Sequence, residues 1–267
     1  MRVAVVQMCS SDDLTANLAE AERCVREAAG RGAEVVALPE MFAFMRREGG
    51  AFPCAQGVDG EIVSKVRSWA RELGLRILAG SFPERGTDRD RVYNTSVLVS
   101  PGGEIEGVYR KMHLFDVDLG EEGGGRFQES ASIAPGDEIV VADTPVGGFG
   151  LSICYDLRFP ELYRAQADRG ALFVTVPSAF TPQTGAAHWE VLLRARAIEN
   201  QVFVIAPAQC GRHGPERRSH GHSLIIDPWG EVLARLEEHP GIAVADCDLA
   251  AQRRVRSRLP ALDHRRV

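Results

Sequence analysis

A strand–helix–strand succession that occurs twice constrains this chain most. Arg2 to Met8 is a continuous apolar run, and Ser10 to Asp13 then supply cap-type residues. Leu14 to Arg31 places apolar residues at Leu18, Ala21, Val25, Ala28 and Ala29, a helical period stopped by Gly30 and Gly32. Ala33 to Leu38 is a second buried strand of the kind found in parallel sheets. Further on, strand Gly148 to Cys154, helix Pro160 to Arg169 and strand Leu172 to Pro177 repeat that order.

Between and after these units the pattern changes to hairpins. Glu61 to Leu73 reads as a helix closed by Gly74. Leu75 to Gly80 and Val92 to Val99 read as strands separated by a charged turn, Glu84 to Arg91. Pro101-Gly102-Gly103 turns the chain back into Glu104 to Tyr109. Residues 116 to 136 read as an irregular loop containing Gly123-Gly124-Gly125, and a loop that long is usually functional. Glu138 to Val141 is a strand, and His188 to Asn200 is helical. Val202 to Ala206, His222 to Ile226, Glu231 to Leu236 and Ile242 to Asp246 are strands, two of them joined by the turn Asp227-Pro228-Trp229-Gly230. The expectation is a mixed-sheet α/β layered fold with internal two-fold character. No Pro/Ser-rich linker interrupts residues 1–267, so a single domain is expected.

A net charge of −6 supplies no cationic field, which argues against a nucleic-acid partner. The cluster Arg212 to Arg218 and the tail arginines 253, 254, 256 and 258 read as solvated faces. No run approaches the roughly 18–20 apolar residues that span a bilayer, and the apolar start is too short for a signal-peptide core. The six cysteines, at 9, 24, 54, 154, 210 and 247, show no paired spacing. Free thiols in a chain long enough to build its own core point to a reducing, cytoplasmic compartment.

One of those thiols stands apart. In Gly150 to Glu161 an apolar run ends on Cys154, a polar turn follows, and Pro160 opens a helix. Strand ends followed by loops are where catalytic groups concentrate. A cysteine nucleophile needs a base for its proton and donors for the oxyanion. Glu40 follows one strand, Lys111 another, and Glu129 lies in the loop after it. If these ends converge, Glu40 is the base and Lys111 a fixed cation, with the Tyr155 backbone N–H as second oxyanion donor.

Leu38-Pro39-Glu40, the segment Tyr109 to Phe115 with Lys111 and His113, and Cys154-Tyr155-Asp156 through Leu162 together resemble the three signatures of the nitrilase (carbon–nitrogen hydrolase) superfamily. The resemblance covers essentially the whole chain. It implies a four-layer αββα sandwich with two mixed sheets and a Glu–Lys–Cys triad that cleaves C–N bonds without metal or cofactor. Within the superfamily, Pro177 to Thr181, His188 to Ile198, Ala208 to His213 and Gly221 to Gly230 are most similar to amidases of deaminated glutathione. The ω-amidases of α-ketoglutaramate are close neighbours, and N-carbamoyl hydrolases remain an alternative. Tyr155-Asp156 disfavours a nitrilase proper, which usually carries tryptophan and glutamate there. A catalytically retired binding or assembly module is the alternative from another class.

By the same resemblance Glu129 is the second glutamate, positioning Lys111 or the substrate amide. Deaminated glutathione and α-ketoglutaramate both carry an oxo-acid carboxylate, for which Arg158 is the candidate partner. Its structural alternative is an ion pair with Asp156 or Glu161. Phe180 and Thr184 are candidate pocket walls. The family pairs subunits, so a homodimer is expected. His220 stands where close relatives carry an aromatic residue, and the short tail ending His264-Arg-Arg-Val puts tail-dependent subunit contacts in doubt.

Other motifs read as structural. His213, His220 and His222 fit no zinc spacing. Gln209-Cys210-Gly211 lacks the caspase nucleophile pattern. Gly123-Gly124-Gly125 lacks the Lys-Ser/Thr of a phosphate loop.

Overall fold

A computed structural model describes residues 1–47, 49–86, 90–120, 125–215 and 217–266. The two sequence repeats become two sheets of matching plan. In the first, Arg2–Gln7, Val35–Ala37 and Arg76–Leu78 are parallel neighbours. Gly241–Asp246 flanks them antiparallel on one side and Val92–Val99 on the other. Phe82–Arg85, Ile105–Arg110 and Ile133–Ala134 add to Val92–Val99. In the second sheet, Gly148–Leu151, Ala171–Thr175 and Phe203–Ala206 are the parallel centre. Val141–Ala142 lies antiparallel at one side, and Leu224–Ile226 with Val232–Arg235 at the other.

Period-two alternation turns these sheets into layers. Along the first strand, Val3 and Val5 face a core shared with Phe149, Leu151, Phe173 and Ile205 of the second sheet. Ala4 and Val6 face the opposite way, onto helices α1 (Leu14–Gly30) and α2 (Glu61–Leu73). Helices α3 (Pro160–Asp168) and α4 (Pro182–Asn200) cover the second sheet through Leu162, Tyr163, Trp189 and Leu193. The order of layers is therefore helix, sheet, sheet, helix. Phe149, Phe173 and Phe203 stack across the three parallel strands at 4.7 and 5.5 Å, each pair contributing about 1 kcal/mol beyond burial.

Local signals account for most helix ends. Asp13 caps α1 by accepting the Ala16 N–H, and Gly74 closes α2 in the left-handed conformation. Helix α4 begins at Pro182 rather than at His188, because Thr181 caps it and Pro182 sits in its first turn. The stretch 116–136 is more ordered than a loop: Asp116–Asp118 pairs with Arg126–Gln128, and a 3₁₀ turn spans Glu129–Ala131. Of the triple-glycine motif, Gly123 and Gly124 lie outside the described residues. The arginine tail forms helix α5 (Leu249–Arg258), and Arg256 donates to the carbonyls of Gln201 and Ala171 at 3.1 and 3.2 Å instead of facing water. Among the described residues no helix is long and apolar enough to cross a membrane.

Candidate active site

Three strand ends converge where the two sheets face each other. Glu40 lies just past Val35–Ala37, and Lys111 directly follows Ile105–Arg110. The strand leading to Cys154 ends at Leu151, so the cysteine sits three residues later, at the head of the 3₁₀ turn Cys154–Arg158. Its φ is +51°, an uncommon conformation for a residue with a side chain. Met41, directly after Glu40, shares it at +52°. Such backbone strain persists only where the surroundings over-determine it, and functional sites are where it collects.

Those surroundings are specific. The Cys154 N–H donates to the Pro177 carbonyl at 2.9 Å. The fully buried Asp156 carboxylate accepts the Ile153 N–H at 2.8 Å, the Tyr109 hydroxyl at 2.7 Å and the His113 N–H at 3.1 Å. His113 Nδ1 is 2.7 Å from the same carboxylate, and its ring stacks on Phe159 at 3.7 Å. Tyr109 and His113 flank Lys111, so one carboxylate ties the Cys154 turn to the Lys111 segment. Behind Glu40, Gly80 allows close backbone passage: a Cβ there would meet the Pro39 carbonyl at 2.0 Å. The Ser81 hydroxyl then accepts the Met41 N–H at 2.9 Å.

At the centre, Lys111 Nζ lies 3.1 Å from Glu40 Oε1 and 3.0 and 2.9 Å from the two oxygens of Glu129. Lys111 is 2% exposed and Glu40 4%. Asn94 Nδ2 donates to Glu40 Oε1 at 2.9 Å, and the Phe115 N–H donates to Glu129 Oε2 at 2.7 Å. Burial alone disfavours the Lys111 charge, but Glu129 and Glu40 outweigh it and hold the ammonium well above its usual pKa. Burial likewise pushes Glu40 up, yet Lys111 and the Cys154 hydrogen bond bring it net below the usual carboxylate value. Burial and the Glu40 charge raise the Cys154 thiol, against the opposing pull of Lys111 and the Ala179 backbone. The resting trio is thus thiol, carboxylate and ammonium. A base can take the thiol proton during attack, with no preformed thiolate required.

Every site residue expected from the sequence lines one cleft: Glu40, Lys111, Glu129, Cys154, Tyr155, Arg158, Phe180 and Thr184. Tyr155 is the second residue of its 3₁₀ turn, where N–H groups lack acceptors inside the turn. Arg158 pairs with neither Asp156 nor Glu161. Its Nη1 is 3.2 Å from His188 Nδ1, and its guanidinium lies 5.3 Å from the Phe180 ring centre. Thr184 also serves its helix, its N–H donating to the Thr181 hydroxyl at 3.3 Å.

Sequence reading missed Asn94, Gln209 and Arg217. Asn94 is one of three consecutive polar residues, Asn94-Thr95-Ser96, in its strand, and nothing local singles it out. Gln209 Nε2 donates to the Glu40 backbone carbonyl at 3.0 Å, a contact with no local signal. Of the histidines, His213 is buried between the Ser10 carbonyl and the Ser219 hydroxyl, at 2.7 and 2.9 Å. Burial lowers its pKa to about 4. His220 stacks on His222 at 4.1 Å. Among the described residues no group of three or more His, Cys, Asp or Glu is placed to hold a metal ion.

The chain is similar to known proteins over nearly its whole length. Residues 2–257 match the family described as Carbon-nitrogen hydrolase. The chain is 45% identical to human deaminated glutathione amidase, across 99% of this chain and 82% of that one. It is 44% identical to the Synechocystis protein of the same name, across 98% and 97%. The crystal structure of Saccharomyces cerevisiae Nit3, a member of branch 10 of the nitrilase superfamily, superposes with a TM-score of 0.90 at 31% identity, covering 100% of this chain and 97% of that one.

Proposed function

The chain belongs to the carbon–nitrogen hydrolase family, and on that premise we propose that it is an amidase whose substrate is deaminated glutathione, cleaved to α-ketoglutarate and cysteinylglycine. The observation that carries the chemistry is the Lys111 ammonium, held at 2.9–3.1 Å between Glu40 and Glu129 in the cleft that contains the Cys154 thiol. The substrate follows from the relatives' names, over nearly the full length of this chain.

Cys154 Sγ attacks the amide carbon while Glu40 takes the thiol proton. Lys111 and the Tyr155 N–H face the oxyanion, a fixed charge and a fixed dipole where negative charge develops. Glu40 returns the proton to the departing nitrogen, leaving a thioester on Cys154. Water enters the vacated side, Glu40 takes its proton, and hydroxide addition releases the acid and the free thiol. Glu129 positions Lys111. Arg158 takes the oxo-acid carboxylate, as a guanidinium with no carboxylate of its own among the described residues is fitted to do.

Purified protein given deaminated glutathione is expected to release α-ketoglutarate faster than from α-ketoglutaramate. A folded protein that hydrolyses neither rejects the substrate assignment. The base must be ionised to act, and Glu40 lies below the ordinary value of 4.5. The sign is therefore plain: kcat/KM holds at neutral pH and falls only as pH drops below that value. A pH–rate profile with its acid limb well above it would remove Glu40 as the base.

We also propose a single-domain, cytoplasmic homodimer. The six cysteines are all free thiols, which suits a reducing compartment. Val191 on α4 and the nearby turn residue Trp229 are 68% and 64% exposed, apolar surface that a second copy would cover.

A further inference from the structure

Three arginines line the cleft, and they differ in how they are occupied. Arg46 donates to the Ser132 hydroxyl at 2.7 Å and lies over Phe52. Arg158 and Arg217 have no carboxylate partner among the described residues. The two are carried by different elements of the cleft wall. Arg158 lies over Phe180 and Tyr155, on the nucleophile's turn.

Arg217 belongs to the basic segment that reads, from sequence, as a solvated face. It lies beside the hairpin of Cys210–Arg212 and Arg218–His220, and the structure folds that hairpin toward Glu40. Gln209, at its root, bonds the Glu40 carbonyl at 3.0 Å, and the Cys210 N–H donates to the Met8 carbonyl at 2.8 Å. His213 fixes the loop from within: its N–H donates to the Arg217 carbonyl at 2.9 Å while its ring bridges Ser10 and Ser219. The Arg217 charge accordingly reaches the Glu40 carboxylate and favours its ionised form.

Glu40 is the group that hands a proton to the departing nitrogen. A cation acting on Glu40 would suit the amine half of the amide, and Arg158, on the nucleophile's turn, the acyl half. An amide with a carboxylate at each end would meet one guanidinium at each end. We propose that Arg217 is a specificity-determining residue that binds the terminal carboxylate of the leaving amine, so that the cleft selects amides flanked by two carboxylates. This rests on the amidase reading above and sharpens it: an amide that releases only ammonia gains nothing from Arg217.

The test compares deaminated glutathione with the same compound bearing a C-terminal carboxamide, following α-ketoglutarate release from both. The wild type is expected to prefer the free acid by roughly ten- to a hundred-fold in kcat/KM, the effect of one charge-assisted contact. In Arg217→Gln the ratio is expected to fall close to one, and Arg217→Lys is expected to keep part of it. Because the readout is a ratio within each variant, general damage to the cleft cancels. An Arg217→Gln variant that keeps the wild-type ratio overturns the assignment. So does a wild type that turns over both compounds equally, which leaves the amidase reading in place. A wild type inert toward both overturns the amidase reading itself.

Discussion

Cys154→Ala is expected to lower kcat/KM by on the order of 10⁴-fold or more while leaving the fold and substrate binding intact. Covalent catalysis has no substitute within the cleft: among the described residues Cys154 is the only cysteine that lines it. The substitution is clean for a geometric reason. Alanine keeps the Cβ, so the +51° backbone at this position costs the variant about what it costs the wild type. The Pro177 carbonyl and Asp156 hold the turn through backbone N–H groups that the substitution does not touch. Stability measured by urea unfolding should change by about 1 kcal/mol at most. Mass spectrometry supplies a second readout: the wild type quenched during turnover should carry an acyl adduct at Cys154, and the variant none. Residual activity of a few per cent would mean that another group attacks the carbon. Unchanged behaviour in every assay would favour a binding module over an enzyme.

How much of this was legible beforehand differs by the range of the contact. Local signals were enough for the paired strand–helix–strand units, since apolar runs, caps and stop glycines act within a few residues. They failed where pairing partners are remote or short. Phe82–Arg85 contains Pro83 and only four residues, too little pattern to read as a strand, yet Val92–Val99 supplies its ladder. Helix α4 gained a turn and a half because Thr181 and Pro182 set its start, although the Gln183 to Ala187 stretch has no apolar period.

The site divides in the same way. Glu40, Lys111 and Cys154 each follow a strand, so the sequence could nominate them, and family likeness could assign them roles. What holds them was not legible. Asp156 joins the Cys154 turn to Tyr109 and His113, residues 47 and 43 positions away. Gln209 reaches Glu40 across 169 positions. Such contacts depend on the register of two sheets packed face to face, which no window of sequence encodes. Arg217 was misplaced for the same reason: basic residues in a hairpin look solvated until the hairpin's direction is known.

The buried ion cluster makes Lys111→Met the second large effect, and one that separates catalysis from structure. In the wild type a single ammonium faces Glu40 and Glu129, at 3.1 Å from one and 2.9 Å from the other. Methionine fills similar space without charge, leaving two carboxylates together with no cation between them. Removing one partner of a buried ion pair costs about 3–5 kcal/mol. Part of that is avoided if Glu40 takes up a proton, since like charges and burial both favour the neutral acid. Either way activity falls. The oxyanion loses its fixed cation, worth on the order of 10²–10³-fold, and a protonated Glu40 is no longer a base at neutral pH. A loss of 10³-fold or more in kcat/KM is expected. The stability deficit has a signed pH dependence. Wild-type Glu40 is depressed, so its contribution is present above the unfolded carboxyl value and fades as pH falls through the lower folded one. In the variant the folded value rises, so the penalty is largest at neutral pH and shrinks on acidification. Urea midpoints for the two proteins should therefore converge as pH is lowered. A gap that stays constant with pH would mean that methionine merely packs badly, and near wild-type kcat/KM would place the oxyanion elsewhere than at Lys111.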